Sequence, residues 1–345
     1  MWPAHPAKIF FERYLRLIPL YVFMIFFLWK FIGLFGGAGP KFYQFETSHG
    51  CADSWIWHFL MLNNFAPWEA PDYCIEESWY IANDFWYMIA GLHLLEKFRT
   101  NRNMFFALSI MLSVFCLIIQ SISIFQNSFS ASYLTYNDEY WTIYFKKPFC
   151  HFHSYNMGVL LGCSYYKYKY QEYKKGSRIQ SMLKNMKEQN MTGGLCVVLG
   201  MLIQFIILII NSAVNNHPDI GVVGSMFYLL LSRPVYIVGF SLMVMPLILQ
   251  NKVCKPLVNI LAHKQWIPCA RLTYGVFLCN TIFMQYRIFN LEHGDWAQRF
   301  VIDMYFCAFF TISFLFSFAT YIFVEAPLAN IVNEFFRSKS SAEVL

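Results

Sequence analysis

The sequence predicts an all-α protein, a polytopic bundle of about eight transmembrane helices. Of its 345 residues, 57% are apolar and 13% are charged, whereas soluble domains average about 45–50% apolar and about 25% charged. Several windows of about 20 apolar residues are long enough to cross ~30 Å of hydrocarbon as helices. Polarity does not alternate with a period of two, which argues against a β-barrel. A soluble, disordered or fibrous protein is excluded.

Five windows are strongly apolar and are predicted to span the membrane: residues 17–36, 104–126, 193–213, 220–250 and 301–324. Three weaker windows contain more polar residues and complete the expected eight: 78–95, 148–166 and 272–286. The apolar run 55–65 is too short to span. We expect it to be an interfacial or re-entrant segment.

Basic residues predict the orientation, because cytoplasmic loops carry an excess of Lys and Arg. With residues 1–16 in the cytoplasm, that side collects 19 of the 26 basic residues. The sequence then divides into this amino segment, a transmembrane domain over 17–325 and a cytoplasmic tail over 326–345. Within the domain, loop 37–77 is non-cytoplasmic and loop 167–192 is cytoplasmic. The basic residues cluster at segment ends and in one loop, which does not favour a nucleic-acid partner.

Loop 37–77 contains two cysteines, Cys51 and Cys74. Two thiols alone in an oxidising compartment predict a disulfide, and two free thiols in a reducing compartment are the alternative. An oxidising side favours the plasma membrane or an endomembrane. A mitochondrial inner membrane is the alternative location.

Polar residues inside the spans are the first site candidates, because an ionisable group there costs about 2.5–3.5 kcal/mol on insertion scales. Asp84 lies within a span, where it needs a partner such as Arg233 or a water-filled cavity, or else stays protonated. A structural ion pair is the alternative to a functional role, and Pro234, next to Arg233, interrupts its helix. Asn280 is a polar residue in the seventh span. It is either a catalytic candidate or a group that hydrogen-bonds between helices. Glu325 is a site candidate, or part of a helix stop before Pro327.

Two further patterns bear on binding. Arg13 and Arg16 are three apart, share a helix face at the cytoplasmic boundary and could bind phosphate with their guanidinium groups. Their alternative reading is an ordinary basic flank. His151 and His153 are two apart and point in different directions on a helix, so no metal site is predicted.

Several fragments together resemble the acyltransferase-3 family. Residues 13–21 (RYLRLIPLY) resemble its Arg-x-x-Arg-x-x-Pro-x-Tyr segment, and residues 78–88 (SWYIANDFWYM) resemble the Ser-Trp-Tyr-Leu-Ala-Asn-Asp motif of its nose-resistant-to-fluoxetine branch. Further fragments follow in the family's order: Cys51 with 55–65 and Cys74, then 147–162 (KPFCHFHSYNMGVLLG), SRP at 232–234, RLTYGVFLCN at 271–280, VIDM at 301–304 and FVEAP at 323–327. The chain is identified as an amino-truncated or divergent member of that branch.

The resemblance implies a membrane O-acyltransferase that moves an acyl group from acyl-coenzyme A to a hydroxyl of a lipid, glycan or small molecule. Arg13 and Arg16 would meet the acyl donor, which is a co-substrate, and no bound cofactor is expected. Acyl transfer needs a proton acceptor and oxyanion donors. The candidates for this chemistry are Asp84, Asn83 and Asn280. The residues expected to line or brace the cavity are Arg233, Glu325 and His151.

The sequence departs from the family in its histidines. The family's proposed catalytic His lies in a helix before the Arg-x-x-Arg segment, where this sequence has only His5 within Pro-Ala-His-Pro. The His of the later Tyr-Leu-x-His pattern is Asn280, which cannot act as a base at neutral pH. Two alternatives therefore stay open, a non-catalytic subunit of a membrane complex and a transporter of lipids or small molecules.

The orientation predicts that the sequon Asn190-Met191-Thr192 carries no glycan, because it lies in the cytoplasmic loop. In glycosylating cells, endoglycosidase treatment should leave the mobility of the protein unchanged. The variant Glu46→Asn creates an Asn-Thr-Ser sequon in loop 37–77. This variant should be glycosylated, and endoglycosidase treatment should change its mobility. A glycan on Asn190 would contradict the orientation.

Overall fold

The computed structural model describes residues 6–34, 50–66, 74–132, 139–170, 177–217, 220–291, 298–332 and 334. The chain forms two compact units, one from residues 1–88 with 265–345 and one from residues 89–264. Every regular element in these described ranges is helical, which confirms the all-α prediction.

The first unit is built from helices near both ends of the chain. Helix α1 (Pro6–Phe26) continues into a π-helical turn, Phe27–Phe31, and α2 covers 50–59. Helix α3 (Trp79–Thr100) begins here and ends in the second unit. The last two helices of this unit are α10 (Trp266–Phe289) and α11 (Arg299–Thr320). Helix α11 continues into a π-helical turn, Tyr321–Glu325. Helix α10 packs against α1 and α11, and the π-helical turn packs against α1.

The second unit contains four helices of 22 to 28 residues and several shorter ones. Its elements are α4 (Arg102–Asn127), a π-helix (Tyr140–Phe145), α5 (Pro148–Lys169), α6 (Arg178–Glu188), α7 (Asn190–Asn216), α8 (Gly221–Ile248) and α9 (Lys255–Leu261). Pro148 stands at the start of α5, where its missing N–H costs no helical hydrogen bond.

Six of the described helical stretches are long and apolar enough to cross a membrane: Pro6–Phe31, Arg102–Asn127, Asn190–Asn216, Gly221–Ile248, Trp266–Ile288 and Arg299–Val332. They correspond to the five strong windows and to the weaker window 272–286. The windows 78–95 and 148–166 form α3 and α5, each of 22 residues, but their composition is too polar for them to be counted with the six. An integral, multi-pass membrane protein follows.

Helices α7 and α8 approach each other closely through two glycines. A Cβ atom at Gly200 would lie 2.5 Å from the carbonyl oxygen of Gly239, and one at Gly239 would lie 2.8 Å from a side-chain carbon of Ile203. Small residues at such crossings let helix backbones pack without the help of a hydrophobic effect between apolar surfaces.

Cys51 at the start of α2 and Cys74 before α3 are both buried, and their sulfur atoms lie at disulfide-bonding distance, with the Cα atoms 4.2 Å apart. The pairing predicted from the two loop cysteines is therefore supported. Two parts of the predicted loop 37–77, residues 37–49 and 67–73, lie outside the described ranges.

We expect loss of this disulfide to destabilise the first unit by about 3 kcal/mol, because a cross-link of this separation restricts the unfolded chain. The measurement is the thermal midpoint of the Cys51→Ser/Cys74→Ser double variant in detergent, together with non-reducing peptide mapping of the unaltered protein. Cys269→Ser, at an exposed free cysteine, is the matched control. Alkylation of both thiols without reductant would contradict the bond.

Candidate functional site

An ion pair joins the two segments that contain Arg13 and Asp84. Arg13 on α1 donates from Nη2 to Oδ2 of Asp84 on α3, across 71 positions of sequence. The side chains are 44% and 33% exposed, so both remain accessible to a ligand. From the sequence, Arg233 was one example of a partner for Asp84, and in the structure the partner is Arg13. A pairing between distant helices depends on their arrangement, which no local pattern contains.

Asn83, next to Asp84, is buried and held by a second asparagine. Asn64 donates from Nδ2 to Oδ1 of Asn83 at 2.7 Å and to the carbonyl oxygen of Trp79 at 2.7 Å. Beside it, Asn63 donates to Oγ of Ser78 at 3.1 Å. The run 55–65 thus supplies two amides that fix the amino-terminal end of α3.

His58 is the residue that sequence analysis missed. Its side chain has no solvent exposure, and its Nε2 accepts from the backbone N–H of Cys74 at 3.3 Å. We therefore assign the ring proton to Nδ1, which lies 2.6 Å from the hydroxyl oxygen of Tyr21 and 3.1 Å from Oγ of Ser78. Burial lowers the pKa of His58 to about 3. The ring is neutral and links α1, α2 and the start of α3.

The signal that could have found His58 is its spacing from Cys51. The two residues are seven apart, or about two helical turns, and so lie on one face of α2. Both ring nitrogens of His58 are engaged inside the protein, so His58 acts as a structural residue.

The remaining candidates in the first unit lie near α1 or α11. Arg16 is exposed and acts electrostatically on the half-buried Glu325. The hydroxyl of Tyr274 donates to the carbonyl oxygen of Leu17 at 3.0 Å. Asn280 accepts from Oγ of Ser313 at 3.4 Å and donates to the sulfur of Met284 at 3.6 Å. Asn280 thus bonds between helices and does not join the Asn83–Asp84 pair.

In the second unit, His151 and Arg233 border one cavity of about 520 Å³. Arg233 donates from Nη1 to the carbonyl oxygen of Cys150 at 3.1 Å and also bonds to its sulfur. The guanidinium lies 5.1 Å from the ring centre of Phe145 and 5.9 Å from that of Tyr144. His151 donates from Nε2 to the carbonyl oxygen of Phe145 at 2.8 Å. The structure therefore groups these two predicted cavity residues.

The candidates thus fall into two groups, one in each unit. Arg13, Arg16, Asn83, Asp84, Glu325 and Asn280 belong to the first unit, and His151 and Arg233 to the second. Among the residues that the structure describes, no cluster of His, Cys, Asp and Glu has the geometry to hold a metal ion. Comparison with known proteins found no matching family model, no similar curated protein and no similar solved structure.

The burial of neutral His58 predicts that acid destabilises the first unit. Because the pKa is about 3 in the folded protein and about 6.5 in an unfolded chain, the stabilisation is present above pH 6.5 and is lost as the pH falls towards 3. The loss should approach about 1 kcal/mol per pH unit in this range.

The measurement is the thermal midpoint, followed by tryptophan fluorescence in detergent, at pH 7.5, 6.0, 5.0 and 4.0. His58→Gln should be less stable at pH 7.5 by about 1–3 kcal/mol, because buried partners lose their hydrogen bonds, and its midpoint should depend less on pH. The exposed His263 provides the control His263→Gln, which should follow the unaltered protein. Equal pH dependence in all three would refute this role of His58.

Proposed function

We propose that the protein is a membrane O-acyltransferase of the acyltransferase-3 type, acting on acyl-coenzyme A and a hydroxyl of a lipid, glycan or small molecule. The observation that carries the proposal is the ion pair between Arg13 and Asp84. Each residue lies in a segment that resembles a motif of this family, and the two segments are distant in sequence. Contact between them is what a shared reaction site requires.

Other fragments of the resemblance are also paired within their own unit. Tyr274, from the RLTYG segment, bonds to the backbone of the Arg-x-x-Arg segment at Leu17. Arg233, from the Ser-Arg-Pro segment, bonds to Cys150 of the Lys-Pro segment. These contacts support the proposal because motif residues of one family tend to support one another structurally.

In the proposed reaction, Arg13 and Arg16 bind phosphate groups of the acyl donor. Both are exposed on α1, and guanidinium groups pair with phosphate through two parallel hydrogen bonds. The acceptor hydroxyl oxygen attacks the thioester carbonyl, so that a C–O bond forms and the C–S bond breaks. Asp84 takes the hydroxyl proton, which ends on the coenzyme A sulfur. Asn83 is the proposed donor to the oxyanion; Asn280, bonded to Ser313, supports the helices.

We also propose the full eight-span topology for this enzyme. Helices α3 and α5, at 22 residues each, are about 33 Å long and match the hydrocarbon thickness. With α3 and α5 added to the six apolar helices, the chain crosses the membrane eight times. The amino segment, loop 167–192 and the carboxyl tail then share one side, which is the cytoplasm because most basic residues lie there. The Cys51–Cys74 pair then faces an oxidising side, which favours the plasma membrane or an endomembrane.

The proposal predicts that the purified full chain transfers a labelled acyl group from acyl-coenzyme A to membrane acceptors. Arg16→Gln should raise the KM for the acyl donor by about tenfold, since a charge-assisted phosphate contact is worth roughly 1.5–3 kcal/mol. Asp84→Asn should lower kcat by about a hundredfold through loss of the proton acceptor. Acyl transfer is followed by chromatography of the labelled products.

Lys8→Gln is the matched control for Arg16→Gln. Lys8 lies on the same helix in an exposed pair with Glu12 at 3.8 Å, and its removal should leave the KM unchanged. Equal effects of the two substitutions on the KM would show that Arg16 is an ordinary basic residue flanking the helix and does not bind the acyl donor. Absence of transfer together with movement of labelled lipid across proteoliposomes would identify a transporter. Absence of both, with stable co-purifying membrane proteins, would favour the subunit function.

A further inference from the structure

A cavity of about 520 Å³ lies within the second unit, between α5, α7, α8 and the π-helix. Most of its wall is aromatic or aliphatic, with Trp141, Ile207, Tyr236 and Ile237 as examples. Polar groups interrupt this wall at five residues: His151, Ser154, Asn211, Ser232 and Arg233. Its size and its composition are typical of pockets for small amphipathic molecules, which occupy about 300–1,000 Å³.

Arg233 gives this cavity a charge that the described part of the chain does not neutralise. Its hydrogen bonds go to the carbonyl oxygen and the sulfur of Cys150, both from Nη1. No carboxylate of the described residues pairs with it, and the Nε and Nη2 donors have no acceptor there. The ring faces of Phe145 and Tyr144 attract the cation but carry no charge. A guanidinium has five N–H donors in a fixed fork suited to carboxylate or phosphate.

The location makes an external anion the natural partner. Arg233 lies on α8, one of the helices apolar enough to span the membrane, where a charged group without a counter-ion is costly. An anion with an apolar chain would satisfy both parts of the cavity, because its head would pair with Arg233 and its chain would pack against Trp141, Tyr236 and Ile237.

We propose that this cavity binds a single-chain lipid anion, with its carboxylate or phosphate head on Arg233. His151 contributes to the site as a fixed part of the cavity wall. Its Nε2–H is fixed by the carbonyl oxygen of Phe145, which holds the ring in place at the cavity. This site lies in residues 89–264 and does not depend on the acyl transfer proposed for Arg13, Arg16 and Asp84.

The test uses the full chain in nanodiscs of phosphatidylcholine, with an oleic acid probe that carries a photoactivatable diazirine on its chain. After irradiation, peptide mass spectrometry should find the label on α7, α8 or the π-helix. Oleate or lysophosphatidate should suppress labelling, and their relative potency separates a carboxylate from a phosphate head. Oleyl alcohol, which has the same chain without the charge, should compete about tenfold less well.

Two variants alter the site from different sides. Arg233→Gln should reduce labelling and competition by oleate by about tenfold. Ile237→Trp, one helical turn further along α8, fills the cavity and leaves Arg233 intact, so it should also abolish labelling even if Arg233→Gln fails to fold. Arg287→Gln is the matched control, since Arg287 bonds to the hydroxyl of Tyr305 at 2.6 Å in the other unit.

The proposal is overturned if oleyl alcohol competes as well as oleate, because recognition would then not involve the charge. It is equally overturned if Ile237→Trp is labelled like the unaltered protein, or if the label is confined to residues outside the cavity wall. Arg287→Gln should behave as the unaltered protein in every arm.

Discussion

Neutralisation of the few charges inside helices is the constraint on which the structure depends. A bilayer offers no water to polar groups in its core, so each one needs a partner within the protein or a ligand. Asp84 obtains its partner from Arg13, and this pair ties α1 to α3. Removal of either residue would leave the other charge without its counter-ion, at a cost that the partial exposure of both side chains reduces.

A second set of contacts fixes the end of α3 that carries Asn83 and Asp84. The cysteine pair holds α2 beside the residues before α3, and the backbone N–H of Cys74 bonds to His58. His58 in turn lies against Tyr21 of α1, while Asn64 positions Asn83. The disulfide, the neutral histidine and the amides thus form one polar assembly. It orients the two candidate residues without occupying the exposed side of Asp84.

Composition and hydropathy predict the all-α class and the location of six apolar helices, because both depend on residues close together in sequence. The pairing of Cys51 with Cys74 was also predictable, since few alternatives existed in that loop. The partner of Asp84 was not, because Arg13 is 71 positions away and any membrane arginine satisfies the same chemical rule. His58 was missed because its spacing of seven residues from Cys51 indicates a shared face only once residues 50–59 are known to be helical. Windows 78–95 and 148–166 contain polar residues that serve internal contacts, such as Asn83 and His151, and this lowers their hydropathy.

The two arginines of the candidate sites differ in how their charge is balanced. Arg13 is partly exposed and has a carboxylate partner, so its charge is neutralised within the protein and a phosphate would have to share it with Asp84. Arg233 is surrounded by a carbonyl oxygen, a sulfur and aromatic rings, which are dipoles or quadrupoles and leave the net charge in place. Hydrogen bonds to such groups lower the cost of burial without removing the charge. Arg13 is therefore suited to the phosphate groups of the proposed acyl donor. Arg233 is suited to an anion that brings its own apolar chain into the cavity.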